Sequence, residues 1–170
     1  VTKHPKREGV FEIQLKEFKV LQLAVDYPIA KKDHGPDFLL ENRHLWLRSK
    51  RQWAILRLRD RIMMAMQEYL HKEAFIRVDS PVFTPNACEG TTTLFAVPYF
   101  EEGSAFLLQS GQLYIVAAIG SVGRCYDFGP VFRAEKSKTK RHLTEFWMMD
   151  AEAAFIEHDE NLRIQEGLAR

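Results

Sequence analysis

Apolar and polar residues alternate near the start of the chain and then change to a different spacing. Phe11, Ile13 and Leu15 alternate with polar neighbours, which is the period-2 pattern of a half-buried strand. An apolar stretch over 18–25 is expected to continue this strand. Residues 26–37 combine prolines and a glycine with charged side chains, and this composition is typical of a linker.

The middle of the chain carries the spacing of a long amphipathic helix. Ser49 followed by Gln52 forms a capping box, in which the serine side chain satisfies a free backbone N–H at the start of a helix. Apolar residues then recur at intervals of three and four from Ile55 to Tyr69. The pattern predicts a helix over 50–73.

The remainder of the chain alternates between short strand patterns and two further helices. Strands that follow one another through short turns, flanked by helices, indicate an α+β domain with an antiparallel sheet. The predicted strands are 75–79, 105–109, 125–135 and 142–154, and the predicted helices are 112–122 and 157–170.

Composition narrows the class of protein. The chain has 170 residues, a formal charge of +1 and 46% hydrophobic residues, which suits a globular protein and excludes a polycationic tail. The longest apolar run, 113–119, has seven residues and is too short to span a membrane. Cys88 and Cys125 form no Cys-x-x-Cys pair, so we expect reduced thiols, no zinc site and a cytoplasmic protein. Both ends are expected to be cuts through a longer sequence.

The stretch 128–152 holds the candidate chemistry. If it forms a hairpin of strands, Arg133 and Glu135 share one face, and His142 and Phe146 share one face of the returning strand. A guanidinium, a carboxylate, a ring and a lysine-rich tip suit a nucleoside triphosphate. A solvated tip that protects a sheet edge, with an aromatic in the core, explains the same residues. Composition alone leaves both interpretations open.

Several motifs in this stretch carry a resemblance to a known family. Phe-Arg-Ala-Glu at 132–135, Arg-His at 141–142 and Glu-Phe at 145–146 resemble motif 2 of the class II aminoacyl-tRNA synthetases. Residues 75–81, after the long helix, are similar to motif 1, which ends at a proline.

Further motifs narrow the resemblance within that family. Phe-Gly-Pro at 128–130 is similar to the aspartyl, asparaginyl and lysyl branch. Cys-Glu-Gly-Thr at 88–91 and Ser-Gly-Gln-Leu-Tyr at 110–114 resemble the asparaginyl-tRNA synthetases.

The resemblance implies a fold and a domain order. The fold would be the class II antiparallel sheet flanked by helices, preceded by the last strands of an OB-fold. Residues 1–25 would end an N-terminal anticodon-binding OB-fold domain, and 26–37 would be the linker. Residues 38–170 would form the N-terminal part of the catalytic domain, without motif 3.

The same resemblance implies an ATP site. Arg133 would be the catalytic residue, binding the α-phosphate of ATP and the substrate carboxylate. Glu135 would meet the adenine amino group, Arg141 and His142 the γ-phosphate, and Phe146 would stack on adenine.

The amino-acid site implied by the resemblance comprises Glu89 with the loop 90–93, Gln112 and Ile115. The aspartyl branch resembles this segment but has proline where Gly111 stands and lysine where Ile115 stands. An apolar side chain cannot neutralise a buried carboxylate. A substrate with a neutral amide therefore suits this site better, and asparagine is favoured over aspartate.

The implied activity is that of a ligase. It would activate asparagine with ATP and transfer it to tRNA(Asn). Mg²⁺ would accompany ATP, with protein ligands beyond residue 170. The protein would be a homodimer with Pro81 at the interface, and this chain alone would be inactive.

Three alternatives remain open from the sequence. The first is an aspartyl-tRNA synthetase. The second is a related asparagine synthetase. The third is a non-catalytic paralogue that dimerises or binds RNA.

Overall fold

The computed structural model describes residues 1–87, 93–137, 139 and 141–170. The chain divides into two compact units, Val1–Leu56 and Arg57–Arg170. Within the described residues, no helix combines the length and the apolar character needed to cross a membrane.

Five helices and eight strands are present among the described residues. In chain order they are β1 (Thr2–Lys3), β2 (Phe11–Glu12), α1 (Pro36–Glu41), α2 (Arg43–Trp46), α3 (Lys50–Lys72), β3 (Ile76–Arg77), β4 (Phe83–Thr84), β5 (Ala96–Pro98), β6 (Ser104–Leu107), α4 (Gln112–Val122), β7 (Arg124–Phe132), β8 (Glu145–Ala153) and α5 (His158–Ala169).

The first unit contains a short antiparallel pair, in which Lys3 of β1 lies opposite Phe11 of β2. The predicted strand continuation over 18–25 is wrong, because none of these residues belongs to a strand. A strand needs a partner for its backbone groups, and β2 pairs with β1 through only two residues. Leu21 is 89% exposed, which shows that its apolar side chain has no sheet to pack on.

Helix α3 forms where the sequence predicts it. The backbone N–H of Gln52 donates to Ser49 Oγ at 3.3 Å, so the predicted N-cap is confirmed. The helix ends at Lys72, one residue before the predicted end. The predicted domain boundaries at residues 25 and 37 stay predictions.

A Schellman motif ends α3 and turns the chain toward β3. The N–H of Phe75 donates to Leu70 O at 2.9 Å, and the N–H of Ala74 donates to His71 O at 3.1 Å. Leu70 and Phe75 are both buried in the core, which is the apolar contact that accompanies this motif. The motif places Ala74 in the left-handed region, with φ of 63°.

The second unit contains two three-stranded sheets. β3, β7 and β8 form one sheet, and β4, β6 and β5 form the other. β7 and β8 are antiparallel over nine residue pairs, whereas β3 runs parallel to β7 through a short contact. The α+β class predicted from the sequence is confirmed.

The core of this unit lies where α3, β7 and α5 meet. Leu70, Tyr126 and Ile164 are buried together, with Phe75 and Phe128 completing the cluster. Gly167 permits a close approach of α5 to α3, since a Cβ there would lie 2.1 Å from Tyr69 Oη.

A cluster of ion pairs joins the same three elements at the surface. The Arg163 guanidinium donates to Glu73 at the end of α3 and to Glu160 in α5. Arg124 at the start of β7 donates to Glu73 O at 3.1 Å and lies over the Phe75 ring. Hydrogen bonds from Arg163 lower the pKa of Glu160 to about 2 and also lower the pKa of Glu73.

Ile115 lies on the inner face of α4 and is completely buried. The Cys125 thiol of β7 donates to Ile115 O at 3.4 Å, so α4 packs directly on this strand. Burial raises the pKa of the Cys125 thiol. A side chain without accessible surface contributes to the core, so Ile115 has no open face to offer a ligand in this conformation.

We predict that Ala74→Gly stabilises the 170-residue chain by about 0.5–1 kcal/mol, because glycine removes the Cβ clash of the left-handed conformation. Ala65→Gly is the matched control, since Ala65 is exposed in the middle of α3. This control should destabilise the chain by about 1 kcal/mol. Urea unfolding monitored by circular dichroism measures both changes. Equal losses in the two variants would contradict the Schellman geometry.

We predict that Ile115→Lys destabilises the chain by about 3 kcal/mol or more, because the ammonium would be buried without an anionic partner. Val116→Lys is the control, because the side chain of Val116, the next residue, is 47% exposed. The control should change the free energy of unfolding by about 0.5 kcal/mol or less. If the two variants unfold at the same urea concentration, Ile115 does not belong to the core.

Candidate functional site

The loop between β7 and β8 starts from a firmly held base. Phe132 and Glu145 form the last residue pair of the two strands. One further backbone bond, from Arg133 N to Thr144 O at 2.9 Å, closes the base of the loop. Phe132 N also donates to Leu108 O at 2.9 Å, which joins the end of β7 to the chain that follows β6.

A cavity of about 390 Å³ lies within this loop. Arg133 and Phe146 are half-buried in it, and Glu135, Arg141 and His142 are exposed. All the residues predicted for ATP therefore come together. The lining consists of Arg133, Glu135, Arg141, His142, Leu143 and Phe146.

The route by which these residues meet differs from the predicted one. Arg133, Glu135 and His142 were expected on strands, but β7 ends at Phe132 and β8 begins at Glu145. The prediction that they share strand faces is therefore wrong. Like charges opposite each other weaken strand pairing, and the sequence concentrates cations over 136–141. The loop gathers the side chains instead.

The lining chemistry suits a polyanion that carries a flat ring. Two guanidinium groups and an imidazole can donate to phosphate oxygens, and arginine can do so through two parallel bonds. Glu135 supplies an acceptor for an amino group. The half-buried ring of Phe146 offers an apolar face on which a base can stack.

Two hydroxyl groups lie behind His142. Thr139 N donates to Ser137 Oγ at 3.1 Å, and Ser137 Oγ lies 3.1 Å from Thr139 Oγ1. Thr139 Oγ1 is in turn hydrogen-bonded to His142 Nδ1. Sequence reasoning missed this series of hydrogen bonds. The Ser-x-Thr-x-x-His spacing was the available signal.

A second cavity, of about 270 Å³, lies at the start of α4. Its lining includes Pro81, the predicted interface residue, and Ser80 beside it. Gln109, Ser110 and Gly111, which immediately precede α4, also line it.

Gly111 is enclosed by polar groups. Its N–H donates to Asp150 Oδ2 at 3.1 Å, and the Ser110 hydroxyl donates to the same oxygen at 2.8 Å. Ser80 Oγ donates to Gly111 O at 3.3 Å. A Cβ at position 111 would lie 2.2 Å from Asp127 Oδ2 and 2.7 Å from Ser80 Oγ, so a larger residue would require these side chains to move.

Asp127 and Asp150 lie directly opposite each other on β7 and β8. Asp127 is only 6% exposed. Sequence reasoning missed both residues. The signal was an aspartate in the interior of each of two apolar strands.

The residues predicted for the amino acid are not brought together in the same way. Glu89 and residues 90–92 of its loop lie outside the described residues. Gln112 is the first residue of α4 and is exposed, whereas Ile115 is in the core. Their assignment to an amino-acid pocket stays a prediction.

Comparison with protein families gives a match over most of the chain. The model of the tRNA synthetases class II (D, K and N) matches residues 35–170. This span includes every residue of the loop cavity.

Individual relatives agree with the family match. The asparagine–tRNA ligase of Roseiflexus castenholzii is 55% identical over 158 residues, covering 93% of this chain and 36% of the relative. That of Sorangium cellulosum is 58% identical over 158 residues, covering 92% and 35%.

Solved structures agree as well. The crystal structure of asparaginyl-tRNA synthetase from Pyrococcus horikoshii complexed with asparaginyl-adenylate superposes with a TM-score of 0.83 at 38% identity. The match covers 88% of this chain and 35% of that protein.

The chain thus spans about a third of the length of the curated relatives that it matches. The resemblance stated from motifs 1 and 2 is confirmed over the second unit and the end of the first. By its sequence, by the residues gathered in its loop cavity and by its fold, the chain belongs to the class II tRNA synthetases of the D, K and N group.

Proposed function

We propose that this chain is the part of an asparagine–tRNA ligase that binds ATP and activates asparagine for transfer to tRNA(Asn). The observation that carries the proposal is the cavity between β7 and β8, where the five residues expected at ATP line one space. The relatives named asparagine–tRNA ligase support the choice of reaction.

The reaction in this proposal is an in-line attack of the asparagine carboxylate on the α-phosphorus of ATP. Two anions must approach each other, so the protein has to position them and neutralise their charge. No protein nucleophile is required. The products are asparaginyl-adenylate and pyrophosphate, and the adenylate then passes its aminoacyl group to tRNA.

Arg133 is suited to stand between the two anions. Its backbone N–H is bonded to Thr144 O at the base of the loop, so its Cα is fixed relative to both strands. Its side chain is half-buried, and partial removal from water strengthens its attraction for phosphate and carboxylate. Arg141 and His142 are exposed farther along the loop, where the distal phosphates would lie.

The role of Ile115 in the preference for asparagine over aspartate stays a prediction, and its side chain is buried in the structure. We infer that the aspartates behind Ser110 and Gly111 also contribute to this preference. Asp127 and Asp150 present negative charge next to the second cavity. A substrate with a second carboxylate would be repelled there, whereas a neutral amide would not.

The remaining substrates and partners are proposals for the whole protein. Transfer to tRNA(Asn) is supported by the relatives' names, and a cytoplasmic location stays a prediction from the sequence. Among the described residues, no group of three or more His, Cys, Asp or Glu side chains is arranged to hold a metal ion. That Mg²⁺ accompanies ATP stays a prediction.

We also propose that the protein is a homodimer through α3 and the chain that leads to Pro81. Leu58 and Ile62 are one turn apart on α3 and are 62% and 50% exposed. Ile76 of β3 is also 50% exposed. Apolar side chains exposed together on a helix and its adjoining strand are typical of a protein interface.

We predict that Arg133→Ala lowers asparagine-dependent exchange of pyrophosphate into ATP by about a hundredfold or more in the full-length protein, because a preorganised donor to the reacting phosphate is lost. Lys136→Ala is the control, since Lys136 is exposed in the same loop. Its effect should stay below about threefold, because exposed charges are screened.

Three results would contradict the proposal. A loss below about threefold for Arg133→Ala would remove this residue from the reacting phosphate. Exchange that depends on aspartate and not on asparagine would make the aspartyl alternative correct. A wild-type protein that folds and dimerises without any exchange would support the non-catalytic paralogue.

We predict that the full-length protein sediments as a dimer and that Leu58→Lys with Ile62→Lys makes it a monomer, because buried ammonium groups oppose association. Asp60→Lys is the control, since at 100° per residue it lies on the opposite side of α3. This variant should remain a dimer. A wild-type monomer at micromolar concentration that still forms adenylate would refute the interface.

A further inference from the structure

We propose that Thr139 is a positioning residue that fixes the tautomer and the orientation of His142 for the nucleotide phosphates. This inference rests on the proposed function, because it assigns His142 a phosphate as its partner. It concerns a side chain that does not line the cavity but lies behind one that does.

The geometry is a chain of hydrogen bonds that begins and ends within six residues of the loop. Ser137 Oγ accepts the backbone N–H of Thr139 at 3.1 Å and lies 3.1 Å from the Thr139 hydroxyl. The Thr139 hydroxyl is bonded to Nδ1 of His142. This series of hydrogen bonds therefore ends at Nδ1 of the imidazole and does not involve Nε2.

The chemistry of phosphate determines which group donates in each of these hydrogen bonds. Phosphate oxygens accept hydrogen bonds, so His142 must carry a proton on Nε2 to bind one. In a neutral imidazole only one nitrogen carries a proton, and Nδ1 must then accept. Thr139 has to be the donor to Nδ1, which leaves its oxygen to accept from Ser137. Each hydroxyl then donates once and accepts at least once.

A hydroxyl at position 139 is the feature that this arrangement requires. Thr139 is exposed, so its side chain adds nothing to the core. Exposed substitutions of this kind usually leave stability unchanged. The effect of losing the hydroxyl should therefore fall on His142 and not on the fold. Serine would keep the donor, whereas valine keeps the shape and removes it.

The first test observes the imidazole directly. In full-length protein with ¹⁵N-labelled histidine, long-range ¹H–¹⁵N spectra at alkaline pH report which ring nitrogen carries the proton. His142→Ala identifies the signal of His142 by its disappearance. We expect the Nε2–H tautomer in wild type and in Thr139→Ser, and a mixture of tautomers in Thr139→Val. The Nδ1–H tautomer in wild type would overturn the proposal.

The second test uses ATP. Thr139→Val should raise the KM for ATP in pyrophosphate exchange by about three- to tenfold, which is the value of one hydrogen bond, with kcat within about twofold. Thr139→Ser should stay within about twofold of wild type. Because Thr139 acts through His142, adding Thr139→Val to His142→Ala should cause no further rise.

The outcomes separate this inference from the function on which it rests. If His142→Ala raises the KM for ATP and Thr139→Val alters neither the tautomer nor the KM, the positioning role alone is wrong. If Thr139→Val alters the tautomer but neither variant changes the KM for ATP, His142 does not bind the nucleotide. The positioning role toward phosphate is then wrong as well.

Discussion

The pairing of β7 with β8 is the constraint on which the rest of the second unit depends. Nine residue pairs fix the register, and four consecutive residues from Cys125 to Phe128 on β7 are buried. β7 is itself held in place, because it also pairs with β3 and packs against α4. A slip of β8 by one residue against β7 would move every side chain of β8 to the opposite face, since side chains alternate along a strand. This register also fixes the position of Arg133 in the loop cavity, because Arg133 directly follows Phe132, which belongs to the last residue pair.

The elements that the sequence predicts well are those with a strong local signal. Helix α4 occupies the predicted residues, and α3 departs by one, because capping and helical spacing are properties of neighbouring residues. The strand predicted over 18–25 fails for the opposite reason. Alternation shows that a segment can be a strand, but a strand also needs a partner, and the sequence does not show whether a partner is present.

The candidate site was predictable in its membership but not in its construction. The resemblance to motif 2 named five of the six lining residues, and only Leu143 was not among them. Their place in a loop was not predicted, because the argument from alternating strand positions assumed that the two strands continue through these residues. Ile115 shows a different limit of the sequence argument. Its burial depends on the packing of α4 on β7, which the sequence does not show, and its assignment to an amino-acid pocket stays a prediction.

The hydrogen bond from Phe132 N to Leu108 O joins the backbone beside the two cavities. Leu108 lines the second cavity, and Arg133, the residue after Phe132, lines the loop cavity. The link between the two cavities is therefore a main-chain hydrogen bond. Side-chain rotamer changes at either cavity would alter what that cavity binds, but they would leave this backbone link in place.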